Sequence, residues 1–303
     1  MKTFNIFLIL FILYGCGGNV SPIDSALENQ TLLFGNGSEP QGLDPHIVTG
    51  VPEHHLLISL CEGLTIANPK GGENLPGVAE SWEISEDGKT YTFFLNHNAK
   101  WSNGDKLTAQ DFVWSWRRIL TPSLGSQYPD MLYYLKGAED FHQGKTSDFS
   151  DVGVSAINDH ELRVELKNPT PFFIRLLSHY STYPVHKETI LKHGTIDDRN
   201  GQWTRPGNFV CNGPMNLKTW ELNKQIIVEK NPLYWDAGRV RLNEIRYFPV
   251  SNESTEDRMF RAGQLHVTNV VPLEKCPIYI ENGNPNLRIE PYMGTYFYRI
   301  NTL

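Results

Sequence analysis

His46, His54, His55 and Cys61 fall in one short stretch, and imidazole with thiolate is a donor set that binds transition metals. Such a site needs its donors to converge. No His pair here has a helical i, i+4 match that continues to Cys61 with a carboxylate, and Pro52 interrupts the segment, so these histidines read as loop and helix-surface groups. Covalent catalysis fares no better as a reading. The chain has no Gly-x-Ser-x-Gly elbow, no His-Glu-x-x-His, and no cysteine set beside a histidine in a known local pattern. An exported hydrolase is therefore the rejected alternative, and neither metal nor cofactor is expected. Cys61, Cys211 and Cys276 match no metal spacing; as an odd set they allow at most one internal disulfide, and all three read as buried small hydrophobes.

What the chain does have is the means to build a frame around a binding surface. At 303 residues it is long enough for two domains or one large one, and 40% hydrophobic with 20% charged residues is ordinary globular composition. A net charge of −7 with no dense basic run excludes nucleic acid as a partner, because phosphate recognition needs clustered positive charge. Fifteen Phe, thirteen Tyr and seven Trp are enough for both a core and an aromatic-walled cleft.

The most structured stretch runs from Ala79 to Trp116. Trp82 and Ile84 alternate before Asp87-Gly88, a dipeptide suited to the positive φ of a tight hairpin turn, and Tyr91, Phe93 and Leu95 alternate after it. Asn103-Gly104 is a second turn. Thr108 can then cap a helix whose third residue is Asp111, and Phe112, Val113, Trp116, Ile119 and Leu120 give that helix one apolar face to lay on the hairpin. A second hairpin is expected around Asn158-Asp159-His160, with Leu162, Val164 and Leu166 alternating, and Thr170-Pro171 opens a short helix through Phe173 and Leu177. Further on, Ser254 is a candidate cap for a helix ending near Gly263, and Leu265, Val267, Leu287 and Ile289 read as strands.

In order and spacing, Ala79-Glu-Ser-Trp, Asp87-Gly88, Trp101-Ser-Asn-Gly104 and Thr108-Ala-Gln-Asp-Phe112 resemble the signature segment of the family 5 extracellular solute-binding proteins, the receptors of ABC importers for peptides, nickel and related solutes. Gln41-Gly-Leu-Asp-Pro-His46, Gly50-Val-Pro-Glu53, Cys61-Glu-Gly-Leu64, Cys211-Asn-Gly-Pro214 and Asn231-Pro-Leu-Tyr-Trp-Asp236 extend the likeness, and its nearest members are the oligopeptide receptors. The resemblance implies a mixed α/β fold of the type II periplasmic-binding-protein kind. It places a discontinuous first lobe at 31–63 and 187–293, an inserted subdomain at 64–186, and the start of a second lobe at 294–303. Family members are longer, so a C-terminally truncated form lacking the second lobe is expected.

The same resemblance implies capture of short oligopeptides for uptake, by a monomer that works with ABC permease and ATPase subunits. It carries Val51, Tyr128, Asn269 and Tyr292 onto peptide-contacting positions; Thr49 stands where close relatives have a carboxylate, and the aspartate and arginines that relatives use for peptide termini would lie beyond Leu303. Dipeptide, nickel or haem as cargo, or a peptide-sensing or adhesive lipoprotein, are the alternatives left open. At the N-terminus, Lys2 precedes an apolar run from Phe4 to Tyr14, too short to span a membrane, that ends in Gly15-Cys16. Residues 1–15 read as a lipoprotein signal, Cys16 as the lipidated residue and 16–30 as a tether. The protein is thus expected to be exported and anchored in a bacterial membrane, periplasmic or at the cell surface.

Overall fold

A computed structural model describes residues 21–290, together with 298, 300 and 302. Within the expected tether, Pro22–Glu28 instead form a helix, α1: Ser21 accepts from the Asp24 N–H, Pro22 occupies the first turn, and Ala26 is buried against Leu33 and Leu265. A polar decapeptide looks like linker until its single small apolar face finds a partner.

β1 (Thr31–Gly35) follows, then α2 (Val51–Leu60), the short pair β2 (Thr65–Ile66) and β3 (Leu75–Pro76), and the hairpin β4 (Ala79–Ile84) and β5 (Thr90–Leu95). The hairpin has the expected register, Trp82 opposite Phe93 and Ile84 opposite Tyr91, with Gly88 at φ +68° in the turn. β4 is a sheet edge, which leaves Ile84 exposed while Tyr91, Phe93 and Leu95 are buried. α3 (Ala109–Leu120) starts as expected, with the Asp111 carboxylate accepting from the Thr108 N–H at 2.7 Å. It lays Phe112, Trp116 and Ile119 into the same core as the hairpin.

α4 (Ala138–His142) precedes the second hairpin, β6 (Val154–Asn158) and β7 (Glu161–Glu165), which completes a sheet of order β4-β5-β7-β6. α5 (Phe173–Leu176) and α6 (Lys187–His193) lead to β8 (Met215–Glu221), β9 (Gln225–Lys230) and β10 (Glu244–Phe248). These return to β1 in a second sheet of order β1-β10-β9-β8, in which only the β1–β10 pair is parallel. α7 (Glu253–Arg261) is capped by Asn252, whose Oδ1 accepts from the Thr255 N–H at 2.8 Å, so it begins before the expected Ser254. α8 (Cys276–Glu281) is the last helix among the described residues. Val267 only bridges Phe34, and Leu287 and Ile289 find no ladder partner among the described residues, so the strands expected there do not form. The expected start of a second lobe, 294–303, lies almost wholly outside the described residues.

Each sheet has its own apolar core; the chain crosses from one to the other just after Cys61, touches the first again at Tyr180 and Tyr183, and crosses back into it for the last time at Cys211. There the cysteine expectation fails. Cys61 and Cys211 form a disulfide, because the two crossings run side by side with Cα atoms 5.3 Å apart. Cys276 is a half-exposed thiol on α8, a helix that buries none of its residues. Around the disulfide, the Glu62 N–H donates to Asn212 Oδ1 and Asn212 Nδ2 donates back to the Glu62 carbonyl. Gly213 packs so closely on the Leu60 backbone that a Cβ there would come within 2.5 Å.

Two buried acids sit at these crossings. Glu62 accepts from Tyr234 Oη at 2.6 Å and Trp235 Nε1 at 2.7 Å, yet burial dominates and pushes its carboxyl up to about 7. A raised carboxyl pKa contributes stability that is full below 4.5 and lost as the pH climbs through 7. In Glu62→Gln that loss is absent: the amide oxygen accepts from Trp235, and the Tyr234 hydroxyl turns to accept from the amide. Relative to the parent, the variant should therefore gain about 3 kcal/mol between pH 4.5 and pH 8. Urea titrations at a series of pH values measure this, and parallel curves for the two proteins would refute it.

The other acid, Asp44, is bound bidentately by Arg118 at 2.9 and 2.6 Å. Burial pushes its carboxyl up, but the Arg118 charge and hydrogen bonds, with His46, outweigh burial and hold it below the usual range. His46, expected in a surface loop, is buried: its Nε2 lies 3.1 Å from the Tyr183 carbonyl and its Nδ1 3.1 Å from Arg118 Nη1. Those neighbours fix the tautomer, with Nε2 donating and Nδ1 accepting. Burial, then the Arg118 charge, push the imidazole down to about 4.

Candidate functional site

The start of α2 is built by a carboxylate turned inward. Glu53, third residue of the helix, is buried beneath it and accepts from the Gln41 N–H at 2.6 Å, close to the positive end of the helix dipole. A Cβ on Gly50 would lie 1.9 Å from its Oε2, so the cap position has room only for glycine. That packing turns Thr49 and Val51 outward, and Val51 is 58% exposed. The preceding loop is pinned by two phenols: Tyr128 Oη donates to the Thr49 carbonyl at 3.3 Å and Tyr180 Oη to the Val48 carbonyl at 3.1 Å.

On the other side of α2 stands the carboxyl end of β1, beside the parallel strand β10, a place where open sheets with parallel strands tend to bind ligands. Asn36 stitches the two together, its Nδ2 donating to the Pro52 carbonyl at 3.2 Å and its Oδ1 lying 3.0 Å from His55 Nδ1. Gly37, at φ +71°, lies against the Asn269 side chain, with room for no Cβ. The Asn269 N–H donates to Glu256 Oε2 at 3.1 Å. Burial pushes the Glu256 carboxyl up, against the pull of the N–H groups of Asn269, Val270 and Gly37. Its Oε1 is buried without a partner among the described residues, against Gly35.

Val51, Tyr128 and Asn269 are therefore connected: Tyr128 through the Thr49 carbonyl, and Asn269 through Gly37, Asn36 and Pro52. Tyr292 and Cys16 lie outside the described residues. Beneath these positions lie the buried Asn36, Tyr180 and Glu256 and the half-buried His179, and no local motif singled them out; their only sequence signal was polarity or aromaticity beside family-like segments. Burial pushes His54, His55 and His179 down, the last to about 4, with the His54 charge second for His55 and His179. The imidazoles of His54, His55 and His179 are thus uncharged at neutral pH, beside the exposed Thr49 and Val51. Among the described residues no group of three or more His, Cys, Asp or Glu is placed to hold a metal ion. Behind Asn269 a cavity of about 910 Å³ opens between α7 and residues 265–288. This arrangement can bind; it holds no nucleophile paired with a base.

Residues 74–303 match the model of the bacterial extracellular solute-binding proteins, family 5, middle region. The periplasmic oligopeptide-binding protein OppA of Escherichia coli K12 is 42% identical over 277 residues, covering 90% of this chain and 49% of that protein. The oligopeptide-binding protein OppA of Bacillus subtilis is 37% identical over 306 residues, covering 98% and 54%. The crystal structure of Haemophilus influenzae OppA in complex with the peptide RPPGFSPFR superposes with a TM-score of 0.79 at 35% identity, covering 85% of this chain and 49% of that one. The chain spans about half the length of the curated relatives it matches. A family match over residues 74–303, relatives 37–42% identical over nearly the whole chain and a shared fold lead to one assignment: the chain belongs to family 5 of the bacterial extracellular solute-binding proteins.

Proposed function

We propose that this chain supplies one wall of a cleft that captures short oligopeptides for an ATP-driven importer. In this reading residues 31–63 and 187–293 form a lobe, 64–186 are its inserted subdomain, and Val51, Tyr128, Asn269 and Tyr292 face the peptide. The protein is an exported lipoprotein held to the membrane through Cys16, a monomer that delivers peptide to permease and ATPase subunits. The observation that carries the reading is the exposed pair Thr49 and Val51 on a loop propped by the Tyr128 and Tyr180 hydroxyls. Fixed backbone beside roomy side-chain space binds peptides of many sequences, because main-chain hydrogen bonds are common to all of them.

A second wall would give each peptide terminus a charge-assisted partner worth roughly 1.5–3 kcal/mol, a factor of ten to a hundred in affinity. On the open wall described here, tri- to pentapeptides should bind more weakly than micromolar. NMR titration of the chain with residues 1–15 removed should show shifts gathered at Val51, Tyr128 and Asn269, absent with the equivalent free amino acids. Shifts confined elsewhere, or none at millimolar peptide, would overturn the peptide reading; micromolar or tighter binding by calorimetry would overturn the single wall.

A further inference from the structure

Four rings run in contact beside the start of α2. Tyr128 meets His179 edge to face at 5.1 Å, His179 stacks on Tyr180 at 4.3 Å, and Tyr180 meets His54 at 5.8 Å. Tyr180 is buried beneath the row, whereas His54, Tyr128 and His179 are each half-buried and keep part of their surface outside. Packing alone does not explain why three such rings stop at the surface together.

The row is held in place before any ligand arrives. Both phenols are tied to loop carbonyls, and His179 Nδ1 accepts from the Ser181 N–H at 3.3 Å and lies 2.8 Å from Ser181 Oγ. Ordering of those side chains is therefore already spent, and a ligand stacking on them does not bear it. The charged and titratable groups around the row are few: Glu53, buried and tied to Gln41; Asp130, beside His179; and His55, beside His54. With its imidazoles neutral, the row offers aromatic faces and edges, and Asp130 with Glu53 disfavours an acidic side chain.

We propose that Tyr128, His179, Tyr180 and His54 form a side-chain subsite that selects an aromatic residue of the bound peptide. The inference rests on the peptide-capture reading and names its preferred substrate class. Offset or edge-to-face aromatic pairs add about 0.5–1.5 kcal/mol beyond the area they bury. One such contact corresponds to a roughly two- to tenfold preference.

The test is an NMR titration of the chain lacking residues 1–15 with tripeptides Ala-X-Ala and X-Ala-Ala, X being Ala, Leu, Phe, Trp, Arg or Glu. Phe and Trp peptides should bind about three- to tenfold more tightly than Leu, and should move the His54 and His179 ring protons upfield by ring current. In His54→Ala/His179→Ala the advantage of Phe and Trp over Leu should shrink to within about twofold. Equal affinity for Leu and Phe, a preference for Arg or Glu, or an aromatic preference without shifts at the two imidazoles overturns the subsite while leaving peptide capture standing. No binding by any peptide removes the capture reading and the subsite together. The peptide series on the parent chain decides the matter even where the double variant folds poorly.

Discussion

Replacing Arg118 by methionine is expected to destabilise the protein by about 3–5 kcal/mol. Arg118 is fully buried, and both its Nη atoms are committed to Asp44 while Nε donates to the Ile196 carbonyl at 2.9 Å. Its loss leaves the mostly buried Asp44 carboxylate without its cation and deprives His46 Nδ1 of its donor. With the Arg118 charge gone, burial raises the Asp44 carboxyl, so the penalty appears as a stability that falls as pH rises. Changing both partners, Arg118→Met with Asp44→Leu, should restore much of the loss, because a buried ion pair contributes little beyond a well-packed apolar pair. Denaturant unfolding of the parent, the single and the double variant measures all three. A single variant within 1 kcal/mol of the parent, or a double variant worse than the single, would sink this account.

His46 shows why part of the fold was legible in the sequence and part was not. Hairpins and helix starts are written locally: Asp87-Gly88 sets a turn, Thr108 and Asp111 a cap, and the structure has both where the spacing placed them. Burial of His46 depends on Arg118, which is remote in sequence and on another element, and nothing near His46 announces that partner. The same limit hid the Cys61–Cys211 bond, whose ends are 150 residues apart. It hid α1 as well, whose apolar face, Ala26 with the partly buried Ile23, matters only because Leu33 and Leu265 lie against it. At the site, the family-like segments pointed to Val51, Tyr128 and Asn269, but not to the groups that hold them. Glu53 was visible as part of a motif, yet its inward turn beneath Gly50 is a packing fact. His179 and Tyr180 carry no local motif; only the contact of their rings with each other and with Tyr128 marks them.

Loss of the Cys61–Cys211 bond is expected to cost about 5 kcal/mol, from the chain entropy released when a loop of this length is opened in the unfolded state. The bond brackets everything between the two crossings, so it constrains the unfolded chain far more than the folded one. In the folded state the crossings stay joined without it, through the Glu62–Asn212 pair and the Gly213 N–H donating to the Leu60 carbonyl at 2.9 Å. The double variant Cys61→Ala/Cys211→Ala should therefore keep its far-ultraviolet circular dichroism and its peptide-induced shifts while its denaturation midpoint falls. The slope of the unfolding transition distinguishes the mechanism: an unfolded chain freed of its cross-link exposes more surface, so the m-value should rise as the midpoint drops. A fall in midpoint with an unchanged m-value would place the effect in the folded state instead. A loss below about 1 kcal/mol would mean that the paired crossings already hold the two cores together and that the bond adds little.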